Sequence, residues 1–358
     1  MVDIAAQIEE IEVVLRKTPH HKATNGFIGA MRAKIARLKD KQSLASFAGK
    51  EGSGAGGGFS IKKQGDATLV LIGPPSAGKS TLINCVTNAE SKVAAYAFTT
   101  VSVIPGMLKY REAYIQILDV PGLIEGASIG KGRGKEVLSV ARGADLLVIM
   151  TDPERLKFFD NILFELEKAG IRINKKIPDV RIEKEIAGGL TIISNIKQDF
   201  ELNDLKGIAQ EFGIKNGRMT IKEKVTMDQI IDSFSQRIVY KNAIFVVNKS
   251  DTHKGNKYED LIYISAEKET GIEELKEIFW KELKLVTVYL VEKNDKPNTD
   301  NPVIMKENDT LIDVAKSIGT EFTASTSLAK IWGNGAKFDG QEMPLSTKVI
   351  DGMQIRFV

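Results

Sequence analysis

Residues 73 to 80 read Gly73-Pro74-Pro75-Ser76-Ala77-Gly78-Lys79-Ser80, after the apolar run Ala67 to Ile72 and before a helix-like segment starting at Thr81. A buried strand, a glycine-rich turn and a helix in that order point to an α/β sheet with a phosphate-binding loop at a strand's C-terminal end. The reason is geometric. N–H groups in the turn and in the first helical turn lack intrahelical partners, so they converge on an anion placed before them. Lys79 then reaches β- and γ-phosphates, and the Ser80 hydroxyl takes one position on Mg2+. A chance glycine turn explains neither the flanking strand nor the Gly-Lys-Ser ending. Gly73, Pro74, Pro75, Ser76, Ala77, Gly78, Lys79, Ser80 and Thr81 are expected to line a nucleoside triphosphate site.

The base is chosen far downstream. The apolar run Ala243 to Val247 ends in Asn248-Lys249-Ser250-Asp251, an N-K-x-D pattern. Guanine carries N1–H and N2–H2 donors on one edge, and the Asp251 carboxylate accepts both. Adenine places an acceptor there, and a buried charge left unpaired is a large penalty, so selectivity follows. Asn248 is expected to bond the N7 edge and brace the phosphate loop, with the Lys249 stem over the ring. A second short strand, Leu261 to Ile264, ends in Ser265-Ala266-Glu267, where the Ala266 N–H is expected to donate to guanine O6.

Between these motifs lies a sensor for the third phosphate. Tyr114 to Leu118 reads as a strand ending in Asp119-Val120-Pro121-Gly122. This spacing puts a carboxylate near Mg2+ and the Gly122 N–H near the γ-phosphate. Upstream, Ala97-Phe98-Thr99-Thr100 offers a hydroxyl for the metal, assigned to Thr100 with Thr99 as the alternative. Expected metal ligands are therefore Ser80, Thr100 and Asp119, and expected catalytic groups are Lys79, Thr100 and Gly122. Segments ordered by a γ-phosphate and released on hydrolysis form a switch. Five glycines in the run from Gly122 through Gly134 suit a mobile loop.

With these motifs in order, together with Tyr96-Ala97-Phe98-Thr99-Thr100-Val101 and Asp119 to Ala127, the chain resembles the Obg-related GTPases. Within that group it is most similar to the developmentally regulated GTP-binding proteins (DRG). Lys22-Ala23-Thr24, Lys34 to Leu38, Gly132-Arg133-Gly134, Val140-Ala141-Arg142 and Gly170 to Lys175 extend the resemblance over nearly the whole chain. No glycine-rich domain of the Obg type precedes the nucleotide-binding part. The N-K-x-D pattern also separates the chain from the related ATP-tolerant branch.

The resemblance implies a Ras-like P-loop GTPase core with an N-terminal helical hairpin, an inserted small α/β domain and a C-terminal ubiquitin-like β-grasp domain of the TGS type. Residue patterns place the parts. Ile4, Ile8, Ile11, Val14 and Leu15, then Ile28, Met31, Ile35 and Leu38, recur at helical spacing around the turn Thr18 to Asn25. Such a pair of helices also suits a DNA-binding helix-turn-helix, but a simple αα-hairpin with an exposed basic face is favoured. Residues 1 to 50 carry nine Lys/Arg against five Asp/Glu. After the strand Ala144 to Met150 and the helix Glu154 to Ala169, about seventy residues precede the next core strand, far more than a crossover needs. Leu190 to Ile193 suggests a strand there, and Leu202 to Phe212 and Met227 to Phe234 suggest helices. Beyond Lys284, strands Val286 to Val291, Ala329 to Trp332 and Ile355 to Val358 surround the helix Thr310 to Ile318. The expected boundaries are 1–47 for the hairpin, 48–60 for a glycine-rich linker, 61–172 and 238–285 for the GTPase domain, 173–237 for the insertion and 286–358 for the TGS domain.

Composition restricts the setting. Hydrophobic residues make up 42% and charged residues 27%, ordinary for a globular protein, and no run of eighteen apolar residues suggests a membrane span. The N-terminus does not resemble a secretory signal. The single cysteine, Cys85, allows no internal disulfide and suits a reducing compartment, so a cytoplasmic protein is expected. His20, His21 and His253 lack metal-ligand spacing. A net charge of +3 does not by itself announce nucleic-acid binding.

The expected activity is a Mg2+-dependent GTPase switch that turns GTP into GDP and phosphate, with no DNA or membrane partner. The resemblance implies a ribosomal or translational setting, with RNA contact through the N-terminal helices or the TGS domain, and a regulatory partner protein of the DRG type. Two alternatives are a P-loop kinase or ATPase acting on a small substrate, and an RNA-binding module with a vestigial nucleotide site. Many Ras-like enzymes place a water-orienting Gln directly after D-x-x-G, where this chain has Leu123. Intrinsic turnover is therefore expected to be slow. A bound K+ ion, or a cation such as Arg133 or Lys131, is a candidate substitute. Related K+-using GTPases often carry Asn where Ser76 stands.

Overall fold

The structure, a computed structural model, describes residues 4–48, 63–87, 104–120, 134–252, 255, 257–292, 297–319 and 327–358. In chain order the first elements are α1 (Ile4–Lys17), α2 (Asn25–Ala48), β1 (Ala67–Ile72), α3 (Lys79–Val86), β2 (Ile104–Tyr110), β3 (Ala113–Asp119), α4 (Gly134–Gly143), β4 (Leu146–Thr151) and α5 (Phe158–Lys168). Next come β5 (Ile171–Ile173), β6 (Val180–Lys184), β7 (Leu190–Ser194), α6 (Asp204–Glu211), β8 (Gly217–Ile221), α7 (Met227–Phe234), β9 (Val239–Val247) and β10 (Ile262–Tyr263). The last are α8 (Ile272–Glu282), β11 (Leu285–Leu290), β12 (Val303–Lys306), α9 (Leu311–Ile318), β13 (Leu328–Gly333), β14 (Gln341–Pro344) and β15 (Met353–Phe357). Two units result: Met1–Gly58 with Gly170–Tyr240, and Phe59–Ala169 with Lys241–Val358.

The second unit holds a sheet ordered β2-β3-β1-β4-β9-β10, in which β3, β1, β4, β9 and β10 run parallel and β2 is an antiparallel edge. Every residue of β1 and β4 is buried, which explains their unbroken apolar sequences: helices cover both faces of a parallel sheet. The chain runs from β1 to β2 and β3 on one side and then crosses to β4 on the other, so the C-terminal end of β1 is the switch point where α/β sheets bind ligands. The antiparallel strand β2 is not expected from its sequence, because Pro105 and Gly106 read as breakers. Proline is tolerated on an edge strand, and a Cβ at Gly106 would stand 2.7 Å from Ile83 Cγ2 and 2.8 Å from Thr87 Cγ2, so glycine lets α3 pack closely. The helix expected from Glu154 begins later. Residues Pro153–Arg155 form a 3-10 turn, and α5 starts at Phe158.

The same unit continues into a five-stranded sheet ordered β12-β11-β15-β13-β14, with β11 and β15 parallel and the remaining pairs antiparallel. Leu311 and Val314 of α9 bury against Ile331 and Ile355 on one face of that sheet. Asp313 reaches back to the Thr310 N–H (3.0 Å), capping the helix start. One helix across a mixed sheet of this kind is the β-grasp arrangement.

In the first unit α2 packs along α6 and α7. Ala33 shares a buried cluster with Leu205, Ile208, Met219, Ile221 and Ile230, so the hairpin and the 170–240 segment hold one core in common. The small sheet β6-β8-β7 lies in this unit, with β6 antiparallel and β7 parallel to β8. Helix α7 opens on Thr226, whose hydroxyl accepts from the Gln229 N–H while Gln229 returns a bond to the Thr226 N–H.

Candidate nucleotide site

The loop after β1 is shaped by close approach. A Cβ at Gly73 would collide with the Met150 carbonyl oxygen, and one at Gly78, where φ is +88°, would collide with Asn248 Nδ2. Ser76 also takes a left-handed conformation (φ 60°), uncommon for a residue with a side chain. Side chains hold the loop in this form. Lys79 Nζ donates to the Gly73 and Pro74 carbonyls at 3.1 Å each. Arg155 Nη1 donates to Pro75 O (3.0 Å), Lys249 Nζ to Ser76 O (2.9 Å) and Asn248 Nδ2 to Ala77 O (2.9 Å). Five successive carbonyls, Gly73 to Ala77, are thus tied back, and the Ala77 N–H donates within the loop to Pro74 O at 3.4 Å.

Lys79 is buried, and burial pushes its pKa down, with Asp119 pulling it up and Arg155 adding to the depression. Its Nζ stands 4.0 Å from Asp119 Oδ1. Ser80, on the first turn of α3, donates to Asp119 Oδ2 at 2.8 Å. Asp119 Oδ1 is buried with no hydrogen-bond partner among the described residues. A hydroxyl oxygen and an under-coordinated carboxylate side by side form a hard oxygen pair that fits Mg2+, which binds through one or two protein oxygens plus phosphate and water. Thr81 is exposed on the same helical turn.

Asn248, only 3% exposed, joins the two recognition loops. Its Nδ2 holds Ala77 O, and its Oδ1 accepts from the Ala266 N–H at 2.9 Å. Asn248 thus acts as the expected brace of the phosphate loop, and the Ala266 N–H donates to it. The cause is burial, which obliges each polar atom of Asn248 to find a partner inside. Asp251 is exposed at the rim, with a hydrogen bond from the Ser265 side chain holding its carboxyl below the usual range. Ser265 itself is buried, and Glu267 is exposed. Thr99, Thr100, Gly122, Leu123, Lys131, Arg133 and residues 49–60 of the expected 48–60 linker lie outside the described residues.

Two residues that sequence reasoning passed over belong to the site. Asp152 ends the β4 run and is buried, and Arg155 follows on the 3-10 turn. Arg155 Nε donates to Asp152 Oδ2 at 3.0 Å and Oδ1 at 3.2 Å, while the Thr151 hydroxyl donates to Arg155 O at 3.2 Å. Hydrogen bonding from Arg155 keeps the Asp152 carboxyl low, and Asp152 in turn raises the guanidinium. The only sequence signal is position: acidic and basic residues directly after a central parallel strand lie at the ligand end of the sheet.

A phosphate loop on a seven-stranded sheet, tied by N-K-x-D to a second recognition loop and followed by a β-grasp domain, defines a P-loop GTPase with a TGS domain. Family comparison agrees. Residues 68–184 match the model described as 50S ribosome-binding GTPase, 187–285 the C-terminal region of MMR_HSR1 domain, and 286–358 the TGS domain. The chain is 38% identical to an uncharacterized GTP-binding protein of Methanocaldococcus jannaschii, covering 98% of this chain and 92% of that protein. It is 36% identical to Developmentally-regulated GTP-binding protein 1 of Xenopus laevis, covering 94% of each. Developmentally-regulated G-protein 3 of Arabidopsis thaliana is also 36% identical, over 96% of this chain and 95% of that one. The chain belongs to the developmentally regulated GTP-binding protein family. Among the described residues no helix is long and apolar enough to cross a membrane.

Proposed function

We propose that this chain is a Mg2+-dependent GTPase switch that hydrolyses GTP to GDP and phosphate. The observation that carries the reading is the attachment of N-K-S-D to the phosphate loop through Asn248 and Lys249, because a base reader fixed to a phosphate cradle serves a guanine nucleotide. The tied-back loop offers the Ser76 N–H to the phosphates, and Lys79 neutralises charge that builds up during transfer. Mg2+ held by Ser80 and Asp119, with Thr100 completing the set, would supply further charge neutralisation when bound. Leu123 gives no water-orienting group, so activation falls to K+ or to a partner.

The setting we assign is the cytoplasm and the ribosome. Support comes from the matching family's description, from full-length similarity to the developmentally regulated GTP-binding proteins, and from Lys34 and Lys41, exposed on α2. RNA contact through the N-terminal helices or the TGS domain, and a regulatory protein of the family's type, follow from the same reading. Calorimetry with GTP and ATP, then single-turnover hydrolysis in Na+ and K+, with and without chelator and ribosomes, tests it. GTP-selective binding, chelator-sensitive turnover and stimulation by ribosomes are expected. Equal binding of ATP, or turnover surviving excess chelator and Lys79→Ala, would remove the reading.

A further inference from the structure

Of the side chains that hold the phosphate loop, Lys79, Asn248 and Lys249 lie within recognised nucleotide motifs, and Arg155 does not. We infer that Arg155, locked by Asp152, is a positioning residue for the nucleotide: it fixes the Pro75–Ser76 peptide so that the Ser76 N–H faces the phosphates. The inference rests on the reading of this pocket as a GTP site.

Proline has no N–H, so Pro74 and Pro75 leave two successive positions of the loop without a donor. The first N–H after them is that of Ser76. A planar trans peptide points its N–H opposite to its carbonyl. Holding Pro75 O at 3.0 Å on the outer side therefore turns the Ser76 N–H inward. The peptide needs holding because Ser76 sits in the left-handed region (φ 60°), a conformation that persists only where surrounding contacts over-determine it. Lys249 holds the far side of Ser76 through its carbonyl at 2.9 Å, and Arg155 holds the near side.

Arg155 suits the task because it is itself fixed. Its Nε bonds both oxygens of Asp152, a residue only 6% exposed, and the 3-10 turn carrying it continues directly from the buried strand β4. Strands β4 and β1 are in parallel register from Leu69 with Leu146 to Ile72 with Ile149, so the end of β4 reaches the level of the loop that leaves β1. A planar guanidinium can serve Asp152 and Pro75 O together, whereas a lysine ammonium has no such fork. The guanidinium also adds a fixed positive charge next to Lys79.

The test is titration of the full chain with fluorescent GTP and GDP, reading Kd and stoichiometry separately, for wild type, Arg155→Ala, Arg155→Lys and Asp152→Asn. Loss of a charge-assisted hydrogen bond predicts a Kd about tenfold or more higher in Arg155→Ala, at a stoichiometry near one. Arg155→Lys and Asp152→Asn should fall between it and wild type. An unchanged Kd in Arg155→Ala would overturn the inference, and so would reduced stoichiometry at unchanged Kd, which marks a purely structural role. If Arg155→Ala fails to fold, an Arg155→Lys Kd equal to wild type would overturn it. Wild type that binds no GTP would instead overturn the proposed function and this inference with it.

Discussion

At the residue scale, recognition and bracing are divided between neighbours in one motif. Asn248 is buried and uses both amide atoms within the protein, whereas Asp251 stands exposed at the rim, its carboxyl pKa lowered by a hydrogen bond from the Ser265 side chain. Base selectivity is therefore expected to rest on Asp251. Asp251→Asn should weaken GTP binding and raise affinity for xanthosine triphosphate, whose C2 oxygen accepts from an amide, and competition titration of the two nucleotides measures it. Dedicated hydrogen-bonding sites discriminate by about 10⁴-fold or more, so a variant with unaltered preference would show that another group reads the base. Lys79, Ser80, Asp119 and Asn248 were legible because their spacing reflects how nucleotides are held. Asp152 and Arg155 were not, since two charged residues after a strand have many structural meanings. Only the parallel register of β4 with β1 puts them beside Pro75.

At the element scale, the opposite end of the sheet is held by one carboxylate. Asp145, between α4 and β4, accepts from Lys63 and Lys306 at 2.9 Å each through Oδ1 and from the Thr68 N–H at 2.9 Å through Oδ2. Lys306 ends β12, so this contact joins the β-grasp sheet to the nucleotide-binding sheet. Burial alone would raise the Asp145 carboxyl, but hydrogen bonds from Lys306, Lys63 and Thr68 outweigh it and set its pKa below the ordinary value. A depressed folded pKa means stability that is present above the unfolded value near pH 4 and is lost as pH falls through the folded one. Asp145→Asn should cost about 1–3 kcal/mol at neutral pH and flatten the acid limb of the stability curve. Urea melts from pH 7 down to pH 3 read this directly, and parallel curves for the two proteins would show that the contact contributes nothing. Strands β1, β3 and β4 were legible as apolar runs because both faces are covered. Strand β2 was not, because its proline and glycine are tolerated only at an edge. Strand β6 was not either, because Arg181, Glu183 and Lys184 are exposed along it.

At the scale of the whole molecule, the chain builds its first unit from segments more than a hundred residues apart. Ile208 is fully buried in the cluster that also takes Ala33 of α2. Ile208→Ala should destabilise that unit by about 2–5 kcal/mol, through lost burial and the cavity left behind. Hydrogen exchange should rise in α2, α6 and β8, while GTP affinity, set by residues of the other unit, stays within twofold. A matching loss of GTP affinity would mean that the two units do not behave independently. The sequence by itself determined the nucleotide class, the central strands, the excess of residues after α5 and the β-grasp ending, because each is written in local spacing or in local apolar pattern. It could not show that α2 and α6 close one core or that Arg155 reaches the phosphate loop. These depend on which distant segments become neighbours, and pairing between distant segments is decided by burial and strand register, which only the folded chain possesses.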